Sequence, residues 1–252
     1  MTGMSNGFEV AMLADIPSEG SGLGSSSTLT VGLLNAFYQY LGINVETSRL
    51  AEEACKIEID ILGKPIGKQD QYIAAYGGIC GIKFNKDESV IVEKFNIPTS
   101  IKRRFGSNLM LFFTNIVRKA ANILSEQKDN ISINIEFHNE IKELAYKTYE
   151  ALNKGNLDLI GEILNKNWEL KRKLASGITN STIDGMYNLA IKGGALGGKI
   201  CGAGGGGFLM TYCKRNEQDS LRESMVNYRE MPFMLEPHGT KIVFNQMPYS
   251  WK

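Results

Sequence analysis

Gly20-Ser21-Gly22-Leu23-Gly24-Ser25-Ser26-Ser27 stands between an apolar run, FEVAMLA at 8–14, and a stretch in which Leu34, Phe37, Tyr38 and Leu41 recur at three- and four-residue spacing. The apolar run reads as a strand. The periodic stretch, 26–41, reads as a helix, with Gly42 where a C-cap glycine belongs. A glycine and serine loop between a strand and a helix start suits a polyphosphate. Glycine lets successive backbone N–H groups approach one anion, and the helix start adds its positive dipole end. Serine hydroxyls can bond phosphate oxygens, complete a magnesium shell or cap the helix. A Walker loop is excluded, because no lysine precedes the terminal hydroxyl residue. A dinucleotide fingerprint is excluded too, because Gly20-Ser21-Gly22 is followed three on by Ser25. Taken alone, a flexible capped loop is the competing reading.

Working outward, a second helix is predicted from Thr47 or Ser48 to Leu62, with Leu50, Ala54, Ile57 and Ile61 on one face and Gly63 at its end. Residues 64–71 (KPIGKQDQ) read as a polar loop or helix start. Strand-like runs at 78–84, 89–95 and 108–114 predict a mainly antiparallel sheet, Lys86 and Asp87 turning the first pair. Helical patterns cover 118–127, 131–153, 157–174 and 183–192. A glycine-rich strand at 199–212, a helix at 217–228 and a strand at 241–244 follow. The class is α+β, with two subdomains meeting at a cleft and divided as 1–100 and 101–252.

Composition narrows the function. The 252 residues carry 28 Lys plus Arg against 27 Asp plus Glu, a net charge of +1, so a nucleic-acid surface has no support. Cys55, Cys80, Cys201 and Cys213 form no C-x-x-C pair, and with His138 and His238 they give no metal-ligand spacing, so they read as reduced, buried thiols. No run approaches the ~18 apolar residues of a membrane helix, and the N-terminus lacks a basic segment leading into an apolar one. The expectation is a soluble cytoplasmic protein without a membrane role.

Phosphoryl transfer needs positioned phosphates, a cation to spread charge and often a base beside the attacking hydroxyl. Glu58, on the second helix, is a candidate magnesium ligand, and Asp70, in Gly67-Lys68-Gln69-Asp70-Gln71-Tyr72, a candidate base. Each, taken alone, also reads as a solvated acid. Lys68 beside Asp70 is expected to lower the aspartate's pKa and keep it ionised, unless it is a surface lysine. The second glycine cluster, 197–207, cannot be an ordinary strand or helix. The apolar Phe208-Leu209-Met210 directly after it points to a placed loop entering a strand.

These motifs resemble those of the GHMP kinases, the superfamily of galactokinase, homoserine kinase, mevalonate kinase and phosphomevalonate kinase. The family's phosphate loop looks like P-x-x-x-G-L-G-S-S-A. Gly22 to Ser26 match it, Ser27 replaces the alanine, and Pro17 lies one residue further upstream than the pattern expects. K-Q-D-Q-Y resembles the segment of the catalytic aspartate, and the I-E pair ending in Glu58 resembles the position that holds magnesium. The second glycine cluster resembles the third motif, K-x-x-G-A-G-G-G-G, with Gly202 to Gly206 as the matching positions. The resemblance implies a GHMP kinase-like fold, with an incomplete ribosomal protein S5 domain 2-like N-terminal part and a ferredoxin-like C-terminal part. It implies ATP and Mg2+ as cofactors. Pro17, Gly20, Gly22, Leu23, Gly24, Ser25, Ser26 and Ser27 would bind the nucleotide, Ser26 and Glu58 the metal, and Asp70 with Lys68 would be catalytic. Asp70, Arg118, Gly202, Ala203, Gly204 and Gly205 would meet the substrate.

A finer resemblance, over nearly the whole chain, is to bacterial D-glycero-D-manno-heptose 7-phosphate kinases, which phosphorylate the anomeric hydroxyl. It rests on SGLGSSSTLTVG, on the segment from Glu58 to Gly78, on FFTNIVRKA at 112–120, on the Trp168 helix and on a terminal Ser-Trp-Lys. Arg118 falls where that family tends to carry an arginine whose fork suits a sugar phosphate, or a helix-start salt bridge. A sugar phosphate and ATP are then the expected partners, and a homodimer the expected association. Family members begin with a motif resembling R-x-P-x-R, absent from residues 1–16, so the resemblance implies a missing N-terminal segment on the order of 80 residues. Two other readings stay open: another sugar kinase of the superfamily, fucokinase-like, or a catalytically incomplete nucleotide-binding module.

Overall fold

The computed structural model describes residues 2–3, 7–16, 20–117 and 120–246. The chain divides into two compact units. The first contains α1 (Ser25–Tyr40), α2 (Thr47–Cys55), α3 (Gln69–Tyr76), β1 (Cys80–Phe84) and β2 (Val90–Lys94). Val31, Leu34 and Tyr38 of α1, at three- and four-residue spacing, bury against Leu50, Ala51 and Ala54 of α2 and Tyr72 and Ala75 of α3. Gly42 (φ +70°) follows α1, and Ile43 N–H donates to Tyr38 O at 2.9 Å, closing the helix as its spacing predicts. β1 and β2 pair antiparallel, Cys80 opposite Lys94 and Phe84 opposite Val90.

Past Cys55, α2 widens into a turn over Lys56–Ile61, where Leu62 N–H donates to Ile57 O, five residues back, at 2.9 Å. The buried stripe then runs through Ala51, Cys55 and Glu58, and Ile61, predicted to face the core, is 62% exposed. Apolar spacing could not show a carboxylate on the buried face.

The second unit holds residues 20–23 and the chain from 96 to 235. Its elements are α4 (Thr99–Asn108), β3 (Leu109–Phe113), α5 (Ala120–Asp129), α6 (Ile135–Lys154), α7 (Leu157–Lys171), α8 (Ser181–Lys192), β4 (Ala195–Ile200), β5 (Phe208–Cys213) and α9 (Gln218–Ser224). The strands form an antiparallel sheet in the order β3-β5-β4, so the single sheet expected from the runs at 78–84, 89–95 and 108–114 is two sheets: β1 pairs only with β2, and β3 pairs with β5, about a hundred residues further along the chain. After α9 the chain returns along the free edge of β3: Phe113 N–H donates to Arg229 O at 2.9 Å and Met231 N–H to Leu111 O at 2.8 Å. Asn180 caps α8 by accepting from Ile183 N–H at 3.0 Å, and Ile183, Met186 and Ala190 of that helix join Trp168 and Leu209 in the core.

Three expected strands need correction, and one helix was not expected. Residues 8–14 form no strand, because no described strand pairs with them; Phe8 instead meets the ring of Phe37, centroids 4.8 Å apart. Residues 241–244 are likewise irregular, with Val243 86% exposed. The strand predicted over 199–212 is two strands, β4 and β5, joined by the glycine motif. Finally, α4 escaped detection because Ile101 and Phe105 alone supply helical spacing around Lys102, Arg103 and Arg104, and none of its residues is buried.

Candidate active site

Gly24, with φ +71°, starts α1 from the left-handed region that favours glycine. A Cβ there would lie 3.4 Å from Asp70 Cγ and 3.5 Å from Asp70 Oδ2. The Asp70 carboxyl, in the first turn of α3, thus abuts the backbone that opens α1. Burial pushes its pKa up, and the charge of Glu58 adds to the rise. Lys68 does not oppose this, contrary to expectation: its ammonium pairs with Glu88, which raises the pKa of the lysine.

Glu58 has no exposed surface. Its two oxygens are divided. Oε2 accepts from Ser27 Oγ at 2.6 Å and from Gln71 Nε2 at 2.7 Å, both in the interior. Oε1 accepts from Ser26 Oγ and from the Lys64 ammonium at 3.0 Å, and Lys64 Nζ also lies 2.5 Å from Ser26 Oγ. Burial pushes the Glu58 carboxyl up, but the four hydrogen bonds outweigh it and leave the pKa below the usual glutamate value. The resemblance to the GHMP kinases implied Ser26 and Glu58 as a pair, and the fold brings them together. Ser27, expected at the nucleotide, is bound to Glu58. Lys64 and Gln71 were missed. The one available signal for Lys64 was the lack of a lysine in the glycine loop, which leaves its positive charge to come from elsewhere in the chain.

The donor set fits a hard divalent cation. A hydroxyl and a carboxylate oxygen are its preferred ligand types, and an ammonium already bridges the two as a cation does. Among the described residues no cluster of three or more His, Cys, Asp or Glu side chains could hold a metal.

The second glycine cluster lies against residues 20–22 within the second unit. A Cβ on Gly202 would stand 2.8 Å from Gly22 Cα, one on Gly22 2.6 Å from Cys201 O, and one on Gly207 2.3 Å from Ser21 O. Backbone meets backbone where any side chain would intrude. The turn is also held from behind: Lys171 donates to Ile200 O and Gly202 O, Gln127 to Ala203 O, and Gly205 N–H to Ile178 O at 2.7 Å. Ala203 sits in the hydrophobic core and Gly204 packs on Ile178, so the motif braces the loop from inside the unit. Pro17 and Arg118 lie outside the described residues.

Residues 1–78 match the GHMP kinases N terminal domain and residues 148–229 the GHMP kinases C terminal domain. The chain belongs to the GHMP kinase superfamily. Like other GHMP kinases it is a mixed α+β protein with both family domains. It is 34% identical over 220 residues to a D-glycero-alpha-D-manno-heptose 7-phosphate kinase of Campylobacter jejuni, covering 86% of this chain and 65% of that one. It is 32% identical over 218 residues to an L-fucokinase/L-fucose-1-P guanylyltransferase of Bacteroides fragilis, covering 82% of this chain and 22% of that protein. A crystal structure of a D-glycero-D-manno-heptose 1-phosphate kinase from Bacteroides thetaiotaomicron superposes with a TM-score of 0.72 at 30% identity, covering 89% of this chain and 64% of the other. The chain thus spans less than two thirds of the length of these relatives. No helix among the described residues is long and apolar enough to cross a membrane.

Proposed function

We propose that this GHMP kinase transfers the γ-phosphoryl group of ATP to the anomeric hydroxyl of D-glycero-D-manno-heptose 7-phosphate, giving the 1,7-bisphosphate. The observation that carries the reading is the convergence of Asp70, Glu58 and Ser26 on the first turn of α1. The similarity to the Campylobacter enzyme supports the heptose phosphate as acceptor.

In this reading Ser25 and the N–H groups that open α1 bind the nucleotide phosphates, where the positive end of the helix favours anions. Asp70 accepts the proton of the attacking hydroxyl, and burial, by raising its pKa, makes it a stronger base than an exposed aspartate. Ser26 and Glu58 would hold the metal, which when bound would neutralise charge on the transferring phosphates. Ser27 and Gln71 fix the other carboxylate oxygen, so that Oε1 is presented in one orientation.

The test is magnesium-dependent ADP release with the heptose 7-phosphate, the unphosphorylated heptose and fucose as acceptors. ADP that depends on the heptose phosphate supports the proposal, and release that answers only to fucose would transfer it to the fucokinase-like reading that the Bacteroides fragilis relative favours. Silence with every acceptor overturns both. Asp70→Asn is expected to lower turnover about 10²-fold or more while retaining nucleotide binding; equal rates in mutant and parent would remove Asp70 from the role of base.

A further inference from the structure

Lys64 is bound to the same two oxygens that the proposed function gives to the metal. Its ammonium lies 3.0 Å from Glu58 Oε1 and 2.5 Å from Ser26 Oγ. Of the four groups that donate to Glu58, three are neutral, and Lys64 alone brings the formal charge that a buried carboxylate requires. An ammonium and a divalent cation cannot share these lone pairs: they need the same sites and repel each other at that range.

Two features make the ammonium an exchangeable occupant. It hangs from the irregular segment between the wide turn and α3, and its side chain is 38% exposed, whereas Ser27 and Gln71 on the opposite oxygen are buried. It also rests against the first turn of α1, which has no acidic residue, so the positive end of the helix opposes its presence there. Glu58 holds it in place against that field. Phosphate oxygens arriving at the helix start would offer the lysine a second anionic partner and relieve the opposition.

We propose that Lys64 is a tethered cation that occupies the Ser26–Glu58 position while nucleotide is absent, excludes free divalent cation, and yields the position when metal arrives together with nucleotide. The proposal rests on the reading of Ser26 and Glu58 as metal ligands. Lys64 is on this account a positioning residue, acting through the occupancy of Glu58.

The experiment counts bound Mn2+ by electron paramagnetic resonance on the full chain, first without nucleotide and then with ADP. Parent, Lys64→Met, Lys64→Gln and Glu58→Gln are compared. Without nucleotide, Lys64→Met is expected to bind Mn2+ about tenfold more tightly than the parent. With ADP the difference is expected to shrink. Lys64→Gln keeps a hydrogen-bond donor to Glu58 without its charge, so it carries the comparison if the methionine variant does not fold. A second readout is thermal unfolding, in which Mn2+ should raise Tm more in the lysine variants than in the parent. If the lysine variants without nucleotide bind Mn2+ no better than the parent, while Glu58→Gln with ADP binds it more weakly than the parent with ADP, Lys64 does not guard the site and the metal ligands stand. If Glu58→Gln with ADP binds Mn2+ as well as the parent with ADP, the metal reading fails and takes the proposal with it.

Discussion

Asp70 and Glu58 are neighbouring carboxylates whose surroundings push them in opposite directions, and each has a consequence for stability. Asp70 is raised above its usual 3.8 by burial and by Glu58, so between that value and its folded-state pKa the folded protein binds the proton more tightly than the unfolded chain. The stability it confers is complete below 3.8 and is lost as pH rises through the folded value. Asp70→Asn removes that penalty and is expected to raise Tm at pH 7 by about 2–4 °C per kcal/mol recovered, the gain vanishing below pH 4. Differential scanning calorimetry at the two pH values checks it.

Glu58 has the reverse sign. Its pKa lies below the usual 4.5, so its contribution is complete above that value and is lost as pH falls through the lowered one. Glu58→Gln keeps the shape but faces the donors of Ser26, Ser27, Gln71 and Lys64 with an amide. It is expected to destabilise by about 1–3 kcal/mol at pH 7, with the loss shrinking in acid, as urea midpoints would report.

Among the elements, the contact of α7 with β4 is the most exacting. A Cβ on Gly197 would lie 2.1 Å from Gly161 O, and one on Gly161 2.6 Å from Leu196 Cβ, so helix and strand approach until backbone touches backbone. Gly197→Ala must separate them, and is expected to cost about 1–3 kcal/mol, read as a lower urea midpoint with an unchanged slope. Neither glycine could be assigned this task from periodicity. Gly161 lies inside a continuous helix and Gly197 belongs to a run of glycines, and only the packing of the two elements shows that each makes room for the other.

At the scale of the molecule the apolar residues collect in separate clusters. One, around Val31, Leu34 and Tyr72, lies in the first unit, and another, around Phe112, Trp168 and Ile183, in the second. Gly197 lies in the second, so hydrogen exchange on Gly197→Ala should show lower protection in β3, β4 and β5, the strands of that core.

The features legible along the chain are those that depend on near neighbours. Apolar spacing marks α1, strand-like runs mark β1, β2 and β3 but not that β3 belongs to a different sheet from the other two, and the glycine clusters mark places where backbone must bend or come close. The carboxylates Glu58 and Asp70 were visible because the residues flanking them resemble a family's motifs. The tertiary structure alone decided which groups those carboxylates meet. Ser26 lies 32 positions from Glu58 and Gln71 lies 13, and only the packing of α1, α2 and α3 around one apolar core brings their donors to the same two oxygens. Lys68, adjacent to Asp70 in the chain, turns to Glu88, while Lys64 fills the place beside Glu58. Charge pairing is settled by distance in space and by burial, and neither quantity is carried by the order of residues along the chain.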